Sequence, residues 1–186
     1  MALCDFAIDR YVRDRFFDRL NALTPAERAA EKLRLEIEAL DFELRETDEL
    51  LGWFKFKDNG YENKRFDDEI PDEETRRIID KPQEFGATTM VDKGHTVVDY
   101  GFIINNGLEA YERQISDELE NEPDSEYLMA MKKSLDCVSL LLRRTDAFLE
   151  EKYSQVGKAD KAKISELRRI ISKVPFKPAE DFREAV

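Results

Sequence analysis

A single histidine and two cysteines, Cys4 and Cys137, are present among the 186 residues. Soft-metal sites draw several such ligands together, so no Cys/His cluster can be assembled from this inventory. The cysteines lie far apart and follow no secretory leader, which argues against a disulfide framework and leads us to expect a cytoplasmic location. Long apolar runs are also missing. Asp or Arg interrupts every short apolar stretch of the opening MALCDFAIDRYVRDRFF, and the roughly eighteen unbroken apolar residues of a membrane span occur nowhere. Glycine is sparse, and Gly86 and Gly94 are isolated, so no glycine-rich phosphate cradle exists. An excess of positive charge is absent too: 42 Asp and Glu against 30 Lys and Arg leave a net charge of -12, which repels nucleic acid and anionic membranes.

What remains is enough for a packed domain. Hydrophobic residues make up 41% of the chain, with 12 Phe and 6 Tyr, and their spacing is helical. Phe6, Tyr11, Val12, Phe16 and Leu20 predict a first helix ending near Asn21. In LTPAERAAEKLRLEIEAL, Thr24 is placed as N-cap, Pro25 at the first helical position and Glu27 as the partner of a capping box, with Ala26, Ala29, Ala30, Leu33, Ile37 and Leu40 as the apolar stripe. A third helix is expected over 105–119. A long one, capped by Asp124, carries Leu128, Met131, Leu135, Val138, Leu142 and Leu149. Beyond Gly157 and the polar KADKAK run, a last helix covers 164–174 and is stopped by Pro175 and Pro178. No sustained alternation marks a strand; Thr88–Val91 and Thr96–Val98 are at most short extended pieces.

The fold class expected is therefore mainly α: an irregular helical domain with long amphipathic helices and a loop-rich acidic connector. We read a single domain, with N-terminal helices over 1–57, the connector over 58–93, and a histidine loop with C-terminal helices over 94–186. One helical turn is expected within the connector at Glu73–Ile79.

Candidate chemistry is scarce. The acid run Asp67–Glu74 lacks the Asp-x-Asp-x-Asp-Gly pattern of a calcium loop and reads as a solvated surface, so no metal is expected. Cys137, beside the apolar stripe of the long helix, reads as a small buried hydrophobe, since no basic cluster or helix N-terminus lowers its pKa. Nothing in the sequence positions His95 against it as a catalytic pair. His95 itself, between Gly94 and Thr96, either holds a turn by hydrogen bonding to backbone or serves a ligand; the residues alone leave both readings open.

The stretch GHTVVDYGFIINNGLEAYERQI resembles the glycyl radical enzymes related to pyruvate formate-lyase, with Gly94, His95, Asp99, Tyr100, Gly107 and Leu108 on the positions of a Gly-His-x-x-x-Asp-Tyr loop that leads into a helix. RETDELLGWFKF (Arg45–Phe56) upstream is similar to a segment of the same family. Downstream, YLMAMKKSLDCVSLLLRRTDAFLEEKYSQ and ISELRRIISKVPFKPAEDFREAV resemble its helix pair and Val-Pro…Pro-Ala…Phe-x-Glu-Ala segment. The likeness spans most of residues 24–186, with a shorter connector than is usual in the family.

The resemblance implies the N-terminal helical part of a radical lyase or dehydratase of anaerobic metabolism acting on a small substrate. In such enzymes a separate radical-SAM activating enzyme installs a glycyl radical, and a cysteine takes hydrogen from the substrate. His95, Asp99 and Tyr100 are the substrate-binding positions it implies, His95 toward a substrate hydroxyl. The family's Cys-Val-x-Pro and Arg-Val-x-Gly-Tyr loops do not occur in this sequence. No catalytic residue and no cofactor is therefore assigned to this chain, and it is expected to be catalytically incomplete: a fragment, a truncated gene product or a degenerate relative. The partner implied is the remainder of the enzyme chain or a larger catalytic subunit, with a homodimer as a further option. An isolated piece of this kind is expected to expose apolar surface and to self-associate. The alternative is a stand-alone acidic helical interaction domain without catalysis.

Overall fold

A computed structural model describes residues 8, 11–44, 54–56 (backbone only) and 99–185. His95, Gly94, Cys4, the 58–93 connector, the expected turn Glu73–Ile79 and both short extended pieces lie outside the described residues. The described part is mainly α, as its spacing predicts. Its residues divide between two units, one holding 8, 11–43 and 54–56, the other Leu44 and 99–185.

In the first unit, residues 11–15 are helical and lead into α1 (Phe17–Asn21), then α2 (Pro25–Ala39). The start of α2 is fixed locally. Thr24 accepts from the Glu27 amide at 3.4 Å, and the Glu27 carboxylate accepts from the Thr24 amide at 3.3 Å, with Pro25 opening the helix. Two of the helix's orphan donors are thereby satisfied. Val12, Leu20 and Leu35 form the core, flanked by Tyr11 and Phe16, while Ile8 packs with Tyr11, Ala39 and Leu40.

The helix stops one residue before the expected stripe ends. Leu40 turns extended and begins β1 (Leu40–Phe42), which pairs antiparallel with β2 (Phe54–Phe56), Leu40 opposite Phe56 and Phe42 opposite Phe54. Three residues per strand is too short a run for a period of two to register in a sequence window.

The second unit begins with α3 (Tyr100–Asn106) and α4 (Leu108–Asn121). The sequence predicts one helix here; Gly107, at φ 71° and ψ 168°, breaks it into two. Next comes α5 (Glu126–Gln155), whose N-cap is Ser125 rather than Asp124. Then α6 (Lys158–Ile171) follows directly on Gly157, so the KADKAK run is helical rather than a linker. A C-terminal strap ends in the four-residue α7 (Phe182–Ala185). Leu149, Ile164 and Leu167 form the core between α5 and α6, with Leu44, Phe148, Val156 and Ile171 around them. Arg168 ties the same pair of helices through a two-point contact to Asp146, at 2.6 and 2.9 Å.

Burial along α5 is uneven. Leu149 is fully buried and Cys137 nearly so, in keeping with its reading as a buried hydrophobe, yet Leu128, Met131, Leu135, Val138 and Leu142 are only half-buried. Much of that stripe has no complete covering layer.

Candidate functional site

Two stretches that look unrelated in the sequence meet at the N-terminus of α4. A helix start leaves backbone amides without partners. Here the Leu108 amide donates to the Pro175 carbonyl at 2.8 Å and the Glu109 amide to the Phe176 carbonyl at 3.1 Å, while the Ala179 amide returns a bond to the Ile104 carbonyl at 3.0 Å. The Val174–Pro175 peptide is cis.

Only glycine fits between them. A β-carbon at Gly107 would lie 2.1 Å from the Phe176 carbonyl oxygen, and the backbone there occupies a region that side chains rarely adopt. Thus the loop-and-helix motif around Gly107 and the Val-Pro…Pro-Ala segment form one structure. It is held by main-chain hydrogen bonds.

The strap is fastened a second time by Glu184, whose side chain is almost fully buried. Its Oε1 accepts from Arg169 Nη1 at 2.8 Å, and its Oε2 accepts from Lys173 Nζ at 2.7 Å and from the Glu180 amide at 2.9 Å. The Lys173 ammonium, the Glu180 amide and the Arg169 guanidinium together pull its carboxyl down to about 2; the Glu184 contact in turn raises the pKa of Lys173, while Arg169 is raised first by its hydrogen bonds to Glu166 and then by Glu184. Asp181 in turn accepts from the Glu184 amide at 2.9 Å. In the sequence Glu184 stands out only as part of a family-like segment; Arg169 and Lys173, four apart at the end of a helix that prolines stop, are the available signal.

Between α3, α5, α6 and the strap lies a cavity of about 480 Å³. Ile104, Leu108, Val138, Leu142, Ile170 and Ile171 are among its apolar lining, and Tyr100, Lys177 and Arg183 also border it. The half-buried residues of the α5 stripe are explained in part: Val138 and Leu142 face this opening. Asp99 and Tyr100, two of the three positions that the resemblance implies for substrate binding, flank the start of α3. Asp99 Oδ1 accepts from the Phe102 amide at 2.9 Å and so caps that helix, whereas Tyr100 is 67% exposed. The third, His95, lies outside the described residues.

Among the described residues no group of three or more His, Cys, Asp or Glu could hold a metal ion, and no helix is long and apolar enough to cross a membrane. The described glycines, Gly101, Gly107 and Gly157, stand in no Arg-Val-x-Gly-Tyr loop, so these residues do not fit a glycyl radical site.

A family model described as pyruvate formate lyase-like matches residues 35–186. No curated protein sequence matches the chain. Solved structures do. One, from work on 1,2-propanediol dehydration in Roseburia inulinivorans, superposes with a TM-score of 0.71 at 18% identity, over 96% of this chain and 28% of that one. The glycerol-bound B12-independent glycerol dehydratase of Clostridium butyricum gives 0.72 at 18% identity, over 99% of this chain and 32% of that one. A glycyl radical enzyme of Archaeoglobus fulgidus gives 0.59 at 16%, over 98% and 32%. At such identities the likeness is one of fold, and the chain spans about a third or less of the length of each.

Proposed function

The chain belongs to the pyruvate formate lyase-like family, and from that premise we propose that it supplies the N-terminal helical scaffold of a glycyl radical lyase or dehydratase whose reacting groups lie elsewhere. The observation that carries this reading is the joint at Gly107. Two family-like stretches some seventy residues apart pack with no room for a side chain, which a fortuitous similarity of helices has no reason to preserve. In this reading the radical chemistry belongs to a larger chain or to the rest of this one, activated by a separate radical-SAM enzyme. The residues here bind and orient.

His95, Asp99 and Tyr100 are the positions we assign to a small hydroxylated substrate, with glycerol and propane-1,2-diol as the first compounds to try, on the strength of the structural relatives. An imidazole and a phenol can each donate or accept a hydrogen bond to a hydroxyl. Asp99 already spends one oxygen on the helix cap, so its part is to hold the start of α3 and present Tyr100. The 480 Å³ cavity is lined mainly by apolar side chains and is not assigned to the polyol.

The test is an anaerobic assay of the chain alone and together with a larger chain bearing the Cys and Gly loops, after activation. Turnover is expected only from the pair, and His95→Ala should lower kcat/KM about tenfold, the value of one neutral hydrogen bond to substrate. Turnover by this chain in isolation would refute the scaffold reading; full activity in the His95→Ala pair would refute the site. The second reading, an acidic interaction domain without catalysis, draws on the uncovered cavity and on Phe182, 84% exposed beside it in sequence. Failure to co-purify with any such larger chain would favour it.

A further inference from the structure

The cavity between α3, α5, α6 and the strap is used neither by the radical chemistry nor by the α4 joint. Every residue that lines it belongs to the second unit, so it is a feature of that unit by itself. At about 480 Å³ it has the size of a small-molecule site. It reaches inward to Leu167, a buried member of the α5–α6 core, and outward to the exposed Tyr100 and Lys177.

The polar groups around it decide what it can hold. Glu184 is the one acid of the lining among the described residues, and both its carboxylate oxygens already accept hydrogen bonds. The Ile104 and Pro175 carbonyls are likewise taken, by the Ala179 and Leu108 amides. A cationic ligand would find no acid to pair with, and a polyol would leave most of its hydroxyls unpaired against isoleucine and leucine. At the outer end, Arg183 already interacts with Glu166, and Glu180 is paired with Lys173 at 3.0 Å. The Lys177 ammonium has no ion pair among the described residues. An apolar body with one negative head matches this distribution. Since the chain's net charge of -12 repels a free anion from most of the surface, Lys177 is where such a head is held.

We infer that the cavity binds a straight-chain alkanoate of about eight to twelve carbons, its alkyl chain against Ile104, Leu142 and Ile171 and its carboxylate at the Lys177 ammonium. The length follows from the volume. A water-sized group occupies about 30 Å³ in a liquid, so 480 Å³ holds on the order of sixteen such groups, and a chain of this length fits with its head at the surface. The site stands on the cavity and Lys177, and does not depend on the assignment of the polyol or of radical chemistry.

Isothermal calorimetry of the full chain with decanoate, kept below the concentration at which the ligand self-associates, tests this. One-to-one binding is expected with a Kd of about 10–100 µM, the range for a ligand of this size held mainly by apolar burial. Decanol keeps the chain and loses the charge, and should bind about three- to fivefold more weakly. Lys177→Gln should weaken decanoate by the same factor and leave decanol unchanged. Val138→Phe places a ring in the cavity and should weaken both ligands at least about tenfold. Circular dichroism checks that each variant keeps its helices. Methyl NMR of the wild-type chain locates the ligand independently of any variant: decanoate should shift the Ile104 and Ile171 methyls and leave Ile37, in the first unit, unmoved. Absence of heat and of methyl shifts at about 1 mM decanoate overturns the proposal and leaves the scaffold reading standing. So does a decanoate affinity indifferent to Lys177→Gln, or shifts spread over both units, the mark of adsorption to apolar surface at large.

Discussion

Replacing Gly107 by alanine tests the α4 joint directly. The substitution adds one methyl group, but at φ 71° and ψ 168° that residue enters a region essentially reserved for glycine, at a cost of about 1–3 kcal/mol. The methyl carbon would also lie 2.1 Å from the Phe176 carbonyl oxygen and 2.6 Å from its carbon. Neither atom is the movable end of a side chain, so the strap must withdraw. Withdrawal breaks the bonds from the Leu108 and Glu109 amides, at about 1 kcal/mol net each.

The expected total is about 3–5 kcal/mol, a large part of the roughly 5–15 kcal/mol that holds a domain of this kind together. Gly157→Ala is the matched control. Its backbone is extended, at φ -75°, and a β-carbon there meets nothing within 4 Å. Gly157 is also the N-cap of α6, where alanine is less favourable, so the gain through the unfolded chain is offset and the change should stay within about 1 kcal/mol of zero. Urea unfolding followed by circular dichroism reads both variants. If Gly107→Ala costs less than about 1 kcal/mol, or the two alanines shift the midpoint alike, the close approach described here does not govern the stability of this unit.

Two further outcomes follow from the same unit. Leu149 is fully buried against Ile164 and Leu167, so Leu149→Ala should destabilise by about 2–5 kcal/mol in thermal or urea unfolding, and a loss below about 1 kcal/mol would mean that α5 and α6 do not share this core. Glu184 has its folded pKa depressed from 4.5 to about 2, so its contribution is present above pH 4.5 and is lost as the pH falls toward 2; Lys173, raised above 10.5, withdraws its part only as the pH rises beyond that value. Hydrogen exchange of the strap amides should therefore quicken between pH 4.5 and 2 relative to the α5–α6 core after correction for intrinsic rates, and Glu184→Gln should show the fast behaviour already at neutral pH. A strap equally protected in both proteins would sink the assignment.

The local parts of this architecture are written within a few residues of one another. Thr24, Pro25 and Glu27 specify the start of α2 because the bonds of a capping box join positions three apart. The 3.6-residue rhythm of α5 specifies that helix for the same reason, and Gly107 and Pro175 are visible as punctuation and as family-like positions. The rhythm does not say how deeply each stripe residue is buried, since that depends on what lies opposite. Val138 and Leu142 have the spacing of core residues and line an open cavity instead.

Sequence alone thus determined the mainly helical class, the cap of α2, the burial of Cys137 and the family likeness, all of which rest on residues close in the chain or on a pattern read in order. Tertiary structure decided that Gly107 divides a helix against the Phe176 carbonyl, that Glu184 is buried between Arg169 and Lys173, and that Val138 and Leu142 border an unfilled apolar space. Hydrogen bonds between residues some seventy positions apart, and the loss of water around a carboxylate, depend on where the chain returns in space, and no local periodicity encodes that return.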